Sequence, residues 1–168
     1  MIAAPIIVTA TFGDADLAWL DAQRREHFPP ERNHLHAHLT MFHHLPPSVE
    51  REIRDALKNE VRVASPHARL TGLINLGRGV AYRVESAGLS DIRARMSERF
   101  ATLLTPQDSA SWRPHITVQN KVAPEQARAL LTDLTANFVP RPLVIAGLAA
   151  HWYRGGPWDL LASYRFRG

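Results

Sequence analysis

The chain has 168 residues, of which 45% are apolar and 21% charged, with no cysteine and with 20 Lys and Arg against 16 Asp and Glu. That length and balance suit a single soluble domain, 1–168, with a sizeable core, and the missing cysteines exclude both a disulfide framework and thiolate zinc binding. Of the 20 cations 18 are arginine, scattered rather than gathered into a tail, which disfavours nonspecific binding of long nucleic acid and favours planar contacts to phosphate or carboxylate on a smaller ligand.

The opening MIAAPIIVTATFG is apolar, but it lacks a basic leader, contains Pro5 and is too short to span a membrane, so it is expected to be a buried first strand. A monomer in the cytoplasm, away from any membrane, is the corresponding expectation. Asp14 is placed to cap a helix carrying Leu17 and Leu20 that ends before Phe28-Pro29-Pro30. A strand through His38-Leu39-Thr40-Met41 comes next. Ser48 is then expected to cap a helix with Val49, Ile53, Leu57 and Val61 at intervals of four. Leu70–Leu76 and Val80–Val84 read as strands joined by Gly77-Arg78-Gly79. Leu89, Ile92, Met96, Phe100 and Leu103 form the strongest helical stripe of the chain, with Arg93, Arg95 and Arg99 on its solvated side. A second strand runs through His115-Ile116-Thr117-Val118. Pro124 starts a further helix with Ala127, Leu130, Leu131 and Leu134, and Leu143–Trp152 and Trp158–Tyr164 close the chain as another glycine-turned pair.

The order suggests a repeat. His38 to Gly77 is 39 positions and His115 to Gly155 is 40, so each half reads as motif strand, helix, hairpin and helix if the N-terminal helix completes the second half by circular permutation. The class expected is α+β: two pseudo-symmetric lobes of antiparallel sheet with outer helices around a central cleft.

The two strands carry the same tetrad, histidine, apolar, threonine, apolar, whereas chance supplies roughly 0.2 such tetrads in a chain of this composition. Alternation along a strand puts His38 and Thr40, or His115 and Thr117, on one face and turns Leu39, Met41, Ile116 and Val118 to the other. With these tetrads, the stretches His38–Pro46 (HLTMFHHLP), Leu76–Val84 (LGRGVAYRV), Trp112–Val122 (WRPHITVQNKV) and Leu148–Tyr164 (LAAHWYRGGPWDLLASY) resemble the 2H phosphoesterases, a family that includes bacterial RNA 2',3'-cyclic phosphodiesterases, also called 2',5' RNA ligase-like proteins. The resemblance covers nearly the whole chain.

It implies a phosphodiesterase without metal or other cofactor, acting on RNA ends or nucleotides with a 2',3'-cyclic phosphate, in which His38, Thr40, His115 and Thr117 carry the chemistry. The residue types fit that task. One imidazole can take a proton from water while the other gives one to the departing ribose oxygen, and two hydroxyls can donate to the non-bridging oxygens. The resemblance further implies His115 as base and His38 as acid. Reversible 2',5' joining of RNA, or hydrolysis of another cyclic-phosphate metabolite, uses the same groups. A non-catalytic RNA-end binding module needs no pair of titratable groups. A metallohydrolase built on His34, His36 and His38 lacks the usual aspartate two residues on, because position 40 is threonine.

For substrate contacts the sequence offers Trp112 and Arg113 just before the second tetrad, Arg78 and Arg154 in the matching glycine turns, and Phe42 continuing the face of His38 and Thr40 as a cleft wall. Lys121 is a minor phosphate candidate. His43 and His44 read as the end of their strand, and Tyr82, Trp152, Tyr153 and Trp158 as hairpin packing.

Overall fold

The computed structural model describes residues 4–168, so Met1, Ile2 and Ala3, ahead of the expected first strand's core, lie outside the described residues. Seven strands and five helices follow in the order β1 (Ile6–Phe12), α1 (Asp14–His27), β2 (Leu39–Leu45), α2 (Glu50–Glu60), β3 (His67–Asn75), β4 (Val80–Glu85), α3 (Ala87–Arg99), α4 (Pro106–Ser109), β5 (His115–Gln119), α5 (Pro124–Asn137), β6 (Arg141–Trp152) and β7 (Asp159–Arg165). Among the described residues no helix is long and apolar enough to cross a membrane.

Every strand pairing is antiparallel, along the path β2-β1-β6-β3-β4-β5 with β7 beside β6. The long β6 serves both lobes. Its Arg141–Val144 stretch pairs with β3, while Ile145–Trp152 pairs with β1 on one side and Gly147–Trp152 with β7 on the other. A Cβ at Gly147 would sit 2.1 Å from the Tyr164 carbonyl oxygen, so glycine is what lets β7 lie this close. The two ends of the path, β2 and β5, lie against each other.

This order corrects the expected partition of the repeat. Corresponding elements start 73 to 76 positions apart, at Ile6 and Val80, Asp14 and Ala87, Leu39 and His115, Glu50 and Pro124, His67 and Arg141. The units are therefore β1-α1-β2-α2-β3 and β4-α3-β5-α5-β6, read straight along the chain with no permutation and with β7 added. A pseudo-two-fold between β6 and β3 exchanges β1 with β4 and β2 with β5. Each unit also lends its last strand to the other, since β3 pairs with β4 and β6 with β1.

The helix starts differ from expectation at two places. Gly13, not Asp14, holds the cap position of α1, and a 3-10 turn at Pro47–Val49 precedes α2, so Ser48 caps nothing. By contrast Ser86 caps α3, its hydroxyl accepting from the Leu89 N–H at 3.2 Å. The α3 stripe is buried through Phe100, while Leu103 lies past the helix and is 40% exposed. Leu39, Met41, Ile116 and Val118 are fully buried in one core that spans both lobes, each contributing about 1.5–3 kcal/mol relative to exposure.

Candidate active site

The two tetrads meet where β2 and β5 meet. His38 immediately precedes β2 and His115 begins β5, and His38 and Thr117 line one cavity. The imidazoles are held in the same way. Nδ1 of His38 donates to the carbonyl of His36 at 2.8 Å, and Nδ1 of His115 to the carbonyl of Arg113 at 2.7 Å. A carbonyl can only accept, so the hydrogen of each neutral ring sits on Nδ1 and the lone pair on Nε2.

A bulge follows each threonine. Val8 pairs with Phe42 but Thr9 with Thr40, leaving Met41 as the extra residue; Val80 pairs with Gln119 but Ala81 with Thr117, leaving Val118. The bulge breaks the alternation at matching points of both strands, so Met41 and Phe42 are both buried, and so are Val118 and Gln119. Phe42 is therefore no cleft wall. It is fully buried beneath the guanidinium of Arg93, 4.3 Å from its ring centre.

The other expected contacts divide as follows. Trp112 ties the lobes together, its indole N–H donating to the Thr40 carbonyl at 3.1 Å. The Arg113 side chain is exposed, and its carbonyl is what orients His115. Arg78 is exposed in its turn, where its carbonyl accepts from the Val122 N–H. Arg154 pairs with Asp159 and lies over Trp152. Neither Arg78 nor Arg154 lines the cavity of His38 and Thr117, whereas Lys121 does. His36 is bonded to Asp21 at 2.7 Å, and among the described residues no three His, Asp or Glu side chains converge as metal ligands.

Several residues at the site had no clear mark in the sequence. Arg24 of α1, 3% exposed, donates from Nε to the Asn33 side chain at 3.0 Å and from a terminal nitrogen to the Thr117 carbonyl at 3.1 Å. Its guanidinium lies 4.3 Å from the ring centre of Phe28, four positions on, a spacing that could have suggested the pair. Burial lowers its pKa against the opposing pull of Asp21. Arg93, expected in solvent, is its counterpart from α3. It donates to the Met41 carbonyl at 2.9 Å and the Asp108 carbonyl at 2.6 Å, so each unit's first helix sends an arginine to the other unit's motif strand.

Trp158 also departs from its expected packing role. Its ring centre is 4.6 Å from that of His38 and 5.4 Å from that of His151, whose Nε2 is 3.1 Å from the Thr9 hydroxyl. Alternation along β6 and β1 puts His151 and Thr9 on one face, the signal that could have found them.

Burial lowers the His38 pKa to about 4, outweighing the hydrogen bond to His36, and the charges of Arg24, His151 and His115 push the same way. Burial likewise lowers His151. A histidine whose folded pKa lies below its unfolded value binds fewer protons when folded. Its contribution to stability is thus complete above about pH 6.5 and is lost as pH falls toward 4, at most about 3 kcal/mol. His38→Gln is expected to flatten the decline of urea-unfolding stability between pH 7 and 4.5; superimposable pH profiles for the two proteins would refute that burial.

Solved structures share the fold. TT0787 of Thermus thermophilus superposes with a TM-score of 0.66 at 16% identity, covering 98% of each chain. E. coli LigT complexed with 3'-AMP gives 0.67 at 14% identity, covering 99% of this chain and all of that one, and LigT complexed with NADP+ gives 0.62 at 15%, covering 98% and 99%. No curated protein matches the sequence. The family described as the 2'-5' RNA ligase superfamily matches residues 12–157, nearly the whole chain and both tetrads, and the protein belongs to that superfamily, the 2H phosphoesterases.

Proposed function

We propose that the protein is a metal-independent phosphodiesterase that opens 2',3'-cyclic phosphates on RNA ends or small nucleotides. One observation carries this reading: two imidazoles at the starts of the contacting strands β2 and β5, near enough for the charge of His115 to act on His38, each spend Nδ1–H on the carbonyl two residues back and keep Nε2 free. One takes a proton from the attacking water, and the other protonates the departing ribose oxygen. Thr40 and Thr117 supply hydroxyls for the non-bridging oxygens, where negative charge grows. The LigT structures with 3'-AMP and NADP+ bring nucleotides to this fold.

Burial leaves His38 uncharged at neutral pH, the form a base requires. The order implied by the family, His38 as acid, needs a bound phosphate to charge it. An anion against Nε2 has that sign, because an opposite charge within a few ångströms favours the imidazolium.

The test is a panel of 2',3'-cyclic nucleotides and cyclic-phosphate-ended oligonucleotides assayed with EDTA present, together with 2',5' joining in the reverse direction. Ring opening that survives the chelator is expected. Activity lost on chelation and restored by a divalent ion overturns the metal-independent reading, and joining without net hydrolysis overturns the phosphodiesterase.

A further inference from the structure

The space around His38 is divided into two chambers that share His34, Leu35, His38 and Trp158 as a wall. They differ in chemistry. One, about 290 Å³, is bounded further by Phe12, Leu17 and His151 and has no lysine or arginine in its lining. The other, about 360 Å³, also holds Thr117 and is lined by Arg24, Arg32 and Lys121 with no carboxylate. A cyclic phosphodiester carries a single negative charge. Three cations around one small cavity repel one another when it is empty and exceed what that one anion needs.

Arg24 is committed to Asn33 and Thr117, but Arg32 and Lys121 have no ion-pair partner among the described residues. Both sit on stiff turns. Arg32 ends a 3-10 turn begun by Pro30, its N–H bonded to the Pro29 carbonyl at 2.9 Å. Lys121 has φ of 63°, a left-handed conformation that costs a non-glycine residue energy and is kept only where surroundings enforce it. Here they do. The Lys121 N–H bonds the Asn120 side chain, the Val122 N–H bonds the Arg78 carbonyl at 3.1 Å, and the strand end lies so close to Gly79 that a Cβ there would be 2.0 Å from the Gln119 carbonyl oxygen. The backbone that carries each cation, one from each unit, is thus fixed at the chamber before any ligand arrives, which lowers the backbone part of the entropy cost of capture.

We propose that the cationic chamber is a binding site for a second phosphate of the substrate, contacted by Arg32 and Lys121 while the first lies at His38 and Thr117. The site takes a nucleotide phosphorylated at two places, with the chamber that lacks lysine and arginine left for its uncharged base. The second phosphate can be the 5'-phosphodiester of an RNA chain or the 5'-phosphates of a small nucleotide. This inference rests on the phosphodiesterase reading for which phosphate reacts.

Its test uses reaction products, which bind without turnover. Calorimetry on the full chain compares adenosine 2'- and 3'-monophosphate, the two products ring opening can give, with the matching 2',5'- and 3',5'-bisphosphates, a dinucleotide ending in the same phosphate, and the same monophosphate carrying a 5'-diphosphate. The bisphosphate is expected to bind about tenfold or more tightly than the monophosphate at 0.1 M salt, with the advantage shrinking as salt rises. Replacing both cations, R32Q with K121Q, is expected to reduce that ratio to about twofold or less, and K121E to reduce it further than K121Q. The larger gain of the two extended ligands identifies the source, chain or small nucleotide. Equal affinity for monophosphate and bisphosphate, or a ratio unchanged in the double variant, overturns the proposal. A protein that opens no cyclic phosphate yet keeps the bisphosphate preference instead overturns the reaction and leaves the second-phosphate site standing.

Discussion

His38→Ala and His115→Ala are each expected to lower kcat by about two to four decades, roughly 3–5 kcal/mol of barrier, while substrate binding is mostly kept. The double variant should be little worse than either single one, because acid and base act in the same displacement and the loss of one already disables it. Steady-state kinetics on any cyclic phosphate the wild type opens provide the measurement. Thr40→Val and Thr117→Val should cost less, about tenfold to a hundredfold each, since one donor is lost while proton transfer persists. The wild-type rate is expected to be bell-shaped in pH, with limbs that belong to the coupled pair. Removing the base flattens the acidic limb and removing the acid the alkaline one, which decides the order that the low His38 pKa leaves open. Near-wild-type rates in both alanine variants would end the catalytic assignment.

The second large effect is on stability and comes from Asp108, a residue in the one-turn helix α4. Its fully buried carboxylate accepts from the His43 N–H at 2.9 Å, the His44 N–H at 3.0 Å and the His43 imidazole at 3.1 Å. Burial alone would raise its pKa, but the hydrogen bonds from His43 and His44 outweigh burial and hold the carboxyl below its ordinary value. Asp108→Ala leaves two edge N–H groups of β2 without partners. It is expected to cost about 3–5 kcal/mol, or on the order of 10 °C in thermal midpoint for a chain of this size. With its folded pKa depressed, the carboxylate stabilises fully above its unfolded value near 3.9, and that support fades as pH falls below it. Calorimetric unfolding at pH 7 is the check, and a loss under 1 kcal/mol would show that the clamp is dispensable.

Asp108 also illustrates where sequence reading stops. The tetrads were legible because strand alternation is a local rule, and Leu39, Met41, Ile116 and Val118 are buried as that rule requires. The rule fails one residue later at Phe42, because a bulge is set by how two strands pair, and nothing in HLTMFHHLP marks it. Arg93 looked like part of a charged helix face. Helical periodicity says which residues share a side, not that one of them reaches another element and is satisfied there by the Met41 and Asp108 carbonyls. Arg24 was hidden in the same way. The repeat itself was visible but wrongly divided, because the glycine turns at Gly77 and Gly155 fall at nearly the same distance from their tetrads although one joins the two units and the other precedes the added β7.

The exchange of end strands between the units bears on how the chain folds. The first unit alone holds the β1–β2 pair and an isolated β3, whose hydrogen-bonding neighbours, β4 and β6, both belong to the second. Likewise β6 finds β1 only across most of the chain, with Ile6 opposite Trp152. Neither half can close a sheet by itself, so nucleation in one half gains little until the other is present. Despite its internal symmetry, the molecule is thus built to unfold as one cooperative unit, and two separately made halves would be complementary fragments, each supplying the strand the other lacks.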